Sequence, residues 1–309
     1  MTEEKEGNPL QHQIKMTKTD WVLTYTFSFL ILPIRIILLL IIMLVTIIVT
    51  KIGMVNMNKE ELSNKPLGSF WRKIMRKIVW VLLRCFIRVC GFCITTKGKR
   101  APVEEASILM FAPHTSLFDV FAAWYNEVGG IVAQNRVEAG NPIVRNFFLG
   151  VSLICQSIFV KRDDYNSKRD ASNEIFKRTH YEEQCKNNNE IWPQFGLCLE
   201  GGISNGKFLM RFKNGAFRPG KPIQPVLIRY PNRLDTVTLD RSNSSLVLWA
   251  TLCQPFTRME MEYLPVYYPS IEEQSDATVF ASNVNELMAA KLGIPVYEKS
   301  AAETLFPKK

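Results

Sequence analysis

Ile108-Leu109-Met110-Phe111-Ala112-Pro113-His114-Thr115-Ser116-Leu117-Phe118-Asp119 is the stretch from which the rest of the chain is read. The apolar run Ile108–Phe111 reads as a buried strand. Pro113 ends it, and Thr115 and Ser116 are helix-cap formers, so a helix is expected over Leu117–Glu127. His114 then stands on the turn at a strand end, where α/β sheets project their reactive groups. It is one of three histidines; His12 lies in a polar tail and His180 at the polar end of a helical pattern. An imidazole titrates near neutrality and suits general-base work. Asp119 can hold its other nitrogen. On one continuous helix a separation of five sets side chains about 140° apart. The pair can meet only if the helix begins after His114. The plainer reading, a core histidine and a solvated helix aspartate, stays open on spacing alone.

Outward from this stretch the pattern alternates. Strands are expected at Ser157–Val160, Phe195–Leu199, Ile223–Ile228 and Met259–Val266. Helices are expected at Pro142–Leu153, Ser167–Cys185, Ser244–Leu252 and Ala277–Leu292. This is an α/β domain, a mixed sheet flanked by helices, over residues 94–300, followed by a short tail at 301–309.

A second block runs Cys198-Leu199-Glu200-Gly201-Gly202-Ile203-Ser204-Asn205-Gly206, then Arg211-Phe212-Lys213-Asn214-Gly215-Ala216-Phe217. A strand ends at an acid and a glycine pair, which lets a ligand approach the backbone. Arg211 and Lys213 can neutralise a phosphate. A plain glycine turn explains the same residues. Arg145, Lys161 and Arg162 are a third basic group, a phosphate site or a soluble strand exit. Asn243-Ser244-Ser245 matches a glycosylation acceptor, accidental if the domain faces the cytosol.

Residues 1–20 read as a loose polar tail, and residues 21–93 as a membrane anchor. Trp21 to Thr50 is apolar except at Pro33 and Arg35. Either Leu30–Thr50 spans the bilayer with Arg35 snorkelling to the interface, or Pro33 breaks the run into a re-entrant hairpin. Phe70–Cys93 reads as a basic amphipathic helix in the headgroup region. The formal charge is +9, yet Lys65 to Arg100 alone holds ten basic residues and no acidic one. A basic block beside an apolar run points to an anionic membrane rather than nucleic acid. With 47% hydrophobic residues the chain is not disordered. The seven cysteines are scattered, and Cys90 and Cys93 form a lone CxxC without nearby histidine, too little for a zinc site. No Walker loop, GxGxxG, EF-hand loop or HExxH occurs, and the GxSxG string at Gly202-Ile203-Ser204-Asn205-Gly206 leads into no helical pattern, as a nucleophile elbow would. A covalent serine or cysteine intermediate is therefore not expected, nor a metal, nor a calcium effect.

Together these segments, from Phe29 to Pro295, resemble the glycerolipid acyltransferases and within them the lysophosphatidylcholine acyltransferase branch. His114 and Asp119 match the HxxxxD signature. Arg145 and Arg162 fall where the second block carries arginines linked to acceptor phosphate. Glu200-Gly201 and Phe212 to Phe217 resemble the third block, usually FPEGT followed by FKxGAF, and Pro225 matches the fourth. Gln224 to Thr238 and Leu292-Gly293-Ile294-Pro295 look like that branch in particular. Three departures stand out: Cys198 for phenylalanine, Leu199 for proline and Gly202 for threonine. They favour a contrary reading, a catalytically weak membrane-bound lipid-binding or scaffolding protein; within the enzyme reading lysophosphatidylcholine leads, with lysophosphatidic acid or lysophosphatidylethanolamine as the alternative acceptor. The resemblance implies that His114, oriented by Asp119, deprotonates a lysophospholipid hydroxyl that attacks acyl-CoA. It implies phosphate contacts from Arg145 and Arg162, acceptor contacts from Glu200, Gly201 and Gly202, and acyl-CoA as co-substrate with no cofactor. It places the protein in the endoplasmic reticulum membrane with the domain facing the cytosol, or on lipid droplets.

Overall fold

A computed structural model describes residues 8–57, 65–133, 141–160, 165–180 and 192–305. The chain begins with α1 (Lys18–Leu30), α2 (Leu32–Gly53) and α3 (Phe70–Val89). There follow β1 (Phe92–Lys97), β2 (Ile108–Ala112), α4 (Val120–Tyr125), β3 (Gly129–Ala133), α5 (Pro142–Ile154), β4 (Ile158–Val160), α6 (Tyr165–Thr179) and β5 (Phe195–Leu197). The remainder is β6 (Leu209–Met210), β7 (Ile223–Arg229), α7 (Ser244–Cys253), β8 (Thr257–Tyr263), α8 (Ile271–Ser275), α9 (Ala277–Leu292), β9 (Val296–Tyr297) and α10 (Ala301–Leu305).

Among the described residues one mixed sheet has the strand order β1-β8-β7-β2-β5-β3-β4. Its neighbours are parallel except β7 and β8. β2 lies at the centre and is buried throughout. Successive side chains of a strand face opposite ways. Leu109 and Phe111 accordingly join one apolar core with α3, α4 and α5, and Ile108, Met110 and Ala112 join the other with α6 and α9. Burial on both faces is why β2 reads as an unbroken apolar run.

The apolar N-terminal run breaks at Ile31, so that Pro33 sits in the first turn of α2, where its missing N–H and fixed φ cost little. The single-span reading over Leu30–Thr50 lies close to α2, with the break at Ile31 and not at Pro33. At 22 residues, α2 is about 33 Å long and is the one described helix long and apolar enough to cross a membrane. Arg35 does not snorkel. It is buried, and donates to the carbonyls of Leu252, Gln254 and Pro255 at the end of α7. One stripe of α2, Arg35, Met43, Thr46, Thr50 and Gly53, packs on the domain, while Ile34, Ile37, Ile41, Leu44 and Ile48 remain exposed.

α3 stops at Val89, short of the expected Cys93, because Phe92 and Cys93 already belong to β1. Its apolar face is used inside the protein. Met75, Val79, Trp80, Leu83 and Ile87 are buried at helical spacing, and each large apolar side chain removed from water stabilises by about 1.5–3 kcal/mol. Lys77, Ile78, Val81, Cys85 and Arg88 form the face left outside.

The two ends are not loose where described. Leu10 is buried against Met210, Tyr297 and Ala301. Asn205 donates from its backbone to Pro9 O at 2.8 Å and from its side chain to Asn8 O and Gln11 O at 3.1 Å. Thr17 caps α1 by accepting from Asp20 N, and Asp20 pairs with Arg233. At the other end Ala301 is fully buried. The polar composition of residues 8–20 concealed one buried leucine and a set of backbone bonds.

Candidate active site

β7, β2 and β5 are parallel neighbours, so their C-terminal ends lie side by side. After β7 comes Tyr230, after β2 His114, and after β5 the run Cys198 to Glu200. The helix after β2 begins as a single tight turn, Leu117–Asp119, whose cap Ser116 accepts from Phe118 N at 3.1 Å. His114 therefore stays on the approach loop and Asp119 falls in the first turn, the arrangement that lets a pair five apart meet.

Asp119 Oδ2 lies 2.7 Å from His114 Nδ1. The same oxygen accepts from Thr115 N at 2.8 Å and Ser116 N at 2.9 Å. Asp119 thus caps its own helix and binds the imidazole at once. Its other oxygen accepts from the Tyr230 hydroxyl at 2.5 Å. Burial first, and the Asp119 charge next, push that hydroxyl's pKa well above its usual range, so it remains a donor. With a carboxylate at Nδ1 the proton belongs there, and Nε2 keeps its lone pair. Asp119 is buried, while the His114 side chain is 19% exposed and can be reached.

Glu200 is wholly buried and touches the backbone of the same histidine. His114 N donates to Oε1 and Met210 N to Oε2 at 3.2 Å. Ser204 N donates to His114 O at 2.8 Å, so the 200–206 turn holds the His114 peptide from both sides. Burial pushes the Glu200 carboxyl up to about 8, against the lowering effect of its backbone donors. An acid so enclosed, with both oxygens on backbone N–H groups, holds the loop that carries His114. Cys198 lies near Asp119 and Glu200. Burial, then those two charges, hold its thiol well above the ordinary range, and a protonated thiol is a poor nucleophile.

The other expected binding residues divide. Gly201 turns the chain at φ +79°, a conformation glycine adopts without strain. A Cβ at Gly202 would stand 3.0 Å from Ala301 Cβ, so glycine in place of threonine makes room for α10. Arg211 is exposed and donates to Glu303 on α10 at 2.7 and 2.9 Å. Lys213 is exposed, and its backbone pairs with Leu199 O at 3.0 Å. Pro225 is inside β7 opposite Met110 and accepts from Leu264 N at 3.0 Å, so it builds the sheet. Arg145 is exposed near the start of α5. Lys161 and Arg162 lie outside the described residues. Asn243 serves as the cap of α7, accepting from Leu246 N at 3.0 Å.

Sequence reasoning missed Tyr230. Its one signal was an aromatic hydroxyl just beyond the apolar run Ile223–Ile228, inside a stretch read for Pro225 and for its likeness to the branch.

A profile of the Acyltransferase family matches residues 93–229. The chain is 34% identical over 302 residues to "Lysophosphatidylcholine acyltransferase" of Drosophila melanogaster, covering 96% of this chain and 54% of that protein. It is 35% identical over 291 residues to "Lysophosphatidylcholine acyltransferase 2" of Homo sapiens, covering 94% and 51%. The chain thus spans about half the length of the curated relatives it matches. Its fold is similar to that of a solved 1-acyl-sn-glycerophosphate (LPA) acyltransferase, PlsC, from Thermotoga maritima, at a TM-score of 0.53 and 15% identity, over 91% of this chain and 98% of that one.

Proposed function

Because residues 93–229 belong to the Acyltransferase family, we propose that this chain transfers the acyl group of acyl-CoA to the free hydroxyl of a lysophospholipid, foremost lysophosphatidylcholine. The observation that carries the reading is the 2.7 Å contact between His114 Nδ1 and Asp119, which leaves Nε2 as the base. His114 Nε2 takes the hydroxyl proton as the oxygen attacks the thioester carbonyl. The tetrahedral intermediate collapses, the carbon–sulfur bond breaks, and the proton passes from His114 to the departing thiolate. Asp119 stabilises the imidazolium between these steps, and Tyr230 holds Asp119. Transfer is direct, in keeping with the protonated Cys198 thiol. The acceptor headgroup follows the names of the relatives matched.

Arg145 and Arg162 are proposed to hold the acceptor phosphate. Losing one such bidentate contact would weaken acceptor binding by roughly tenfold, and the apparent KM for acyl-CoA by much less. The exposed apolar face of α2 supports residence in a membrane, which we take to be the endoplasmic reticulum with the domain on the cytosolic side, or a lipid-droplet surface. The test is to give labelled oleoyl-CoA and a panel of lysophospholipids to membranes that hold the protein. Labelled phosphatidylcholine should dominate. Product only from lysophosphatidic acid or lysophosphatidylethanolamine would overturn the headgroup, and no product with any acceptor would overturn the reaction.

A further inference from the structure

Between α3, the start of β1 and the turn from α7 to β8 lies a cavity of about 430 Å³. Neither His114 nor Asp119 lines it, though Phe92 of its lining packs on Phe118 with ring centroids 5.0 Å apart. Arg35, Arg84 and Arg88 line it, together with the apolar Ile87, Phe92 and Phe256.

The charges in and behind this cavity do not balance. Arg35 is bonded to three carbonyl oxygens, which satisfy its donors and carry no net charge. Arg84 reaches Glu127 at 2.8 Å. The Glu127 carboxylate also acts on the Arg76 and Arg100 guanidinium groups. One carboxylate therefore serves three arginines. Arg88 is exposed and has no ion pair or hydrogen bond among the described residues. A guanidinium stays charged at any physiological pH, and its fork of donors matches phosphate oxygens.

The surroundings say which kind of anion fits. Phe256 at the rim is 56% exposed. Arg35 belongs to α2, whose exposed Ile34, Ile36 and Ile37 stand in the same turns. A charged cavity that opens beside an apolar, lipid-facing helix has the two-part character of a phospholipid. We propose that this cavity binds the phosphate of an anionic membrane lipid at a site separate from the catalytic pair, with Arg88 as the open ligand and the acyl chains along α2.

The test uses the full chain in neutral detergent micelles, titrated with a phosphatidic acid that carries a dansyl group on one chain. Energy transfer from tryptophan reports binding without any acyl transfer, so its outcome is independent of the proposed reaction. Arg88→Gln should weaken binding by roughly tenfold, the loss of one charge-assisted contact. Lys77→Gln removes the same charge from the same exposed face of α3 and should leave binding within about twofold. Equal weakening by the two variants would reduce the effect to general surface charge and overturn the site. No weakening by Arg88→Gln would overturn it as well. Displacement of the lipid by free CoA would give the cavity to a soluble phosphate donor and overturn the lipid assignment.

Discussion

Residues 112–119 and residues 198–213 end neighbouring parallel strands, and each contributes one buried acid to the same histidine. Asp119 reaches the imidazole ring, and Glu200 reaches the peptide N–H beneath it. One acid holds Nδ1, across the ring from the proposed base Nε2; the other fixes where the loop stands. At the level of sequence both blocks read as functional, and residues 198–213 read as the richer in substrate contacts. The difference teaches that a buried acid beside a glycine pair is not thereby a binding group. What its oxygens touch decides its role.

Replacing each acid by its amide is the sharpest way to break that contrast. Asp119→Asn removes the charge that stabilises the imidazolium, and kcat should fall about a hundredfold or more with the protein still folded. A rate near wild type would leave Asp119 as a helix cap alone. Tyr230→Phe frees one Asp119 oxygen and should lower kcat by roughly tenfold at unchanged KM. An unaltered kcat, with normal expression, would make Tyr230 part of the packing only.

Glu200→Gln should cost less, about fivefold in kcat, because it replaces an acid that is largely protonated at neutral pH and loses on the order of one neutral hydrogen bond. A loss as deep as that of Asp119→Asn would mean the two acids share one role. The same variant has a pH signature. The folded carboxyl sits at about 8 against an ordinary 4.5, so the folded state holds a proton that the unfolded state has released. Its stabilising contribution is complete below 4.5 and is lost as pH rises through 8. The thermal midpoint of the wild type should fall over that range, and Glu200→Gln should flatten the fall. Equal slopes would show that Glu200 is ionised throughout. The smallest effect is expected for Arg211→Ala, which breaks an exposed ion pair with Glu303 worth less than about 1 kcal/mol. An increase in acceptor KM would return Arg211 to the phosphate site.

What was legible in the sequence follows the distance between the residues concerned. His114 and Asp119 lie within one turn of chain, so the proline, the caps and the five-residue spacing could be weighed together. β2 and β7 were legible as apolar runs because both their faces are buried, and the helices α5, α7 and α9 because burial on one face leaves a period. β1 was not. It is an edge strand with only Phe92 buried, so it lacks alternation and blended into the basic run before it. β3 begins with Gly129-Gly130, which reads as a turn. Tyr230 stands 111 residues from Asp119, and nothing local marks a contact that only the strand order creates. The exposed pair of Arg211 and Glu303, 92 apart, was hidden for the same reason: nothing near Arg211 in the chain marks the helix that brings Glu303 to it.

The central claim is that His114, held by Asp119, moves the proton in a direct acyl transfer. The most direct test measures transfer of labelled oleoyl groups to lysophosphatidylcholine by equal amounts of membrane-bound wild type and His114→Ala. Loss of a general base costs about a hundredfold to ten-thousandfold. The account requires the variant to fall within that range or below it while it remains folded and in the membrane fraction. A folded His114→Ala protein that transfers oleate at the wild-type rate would contradict it.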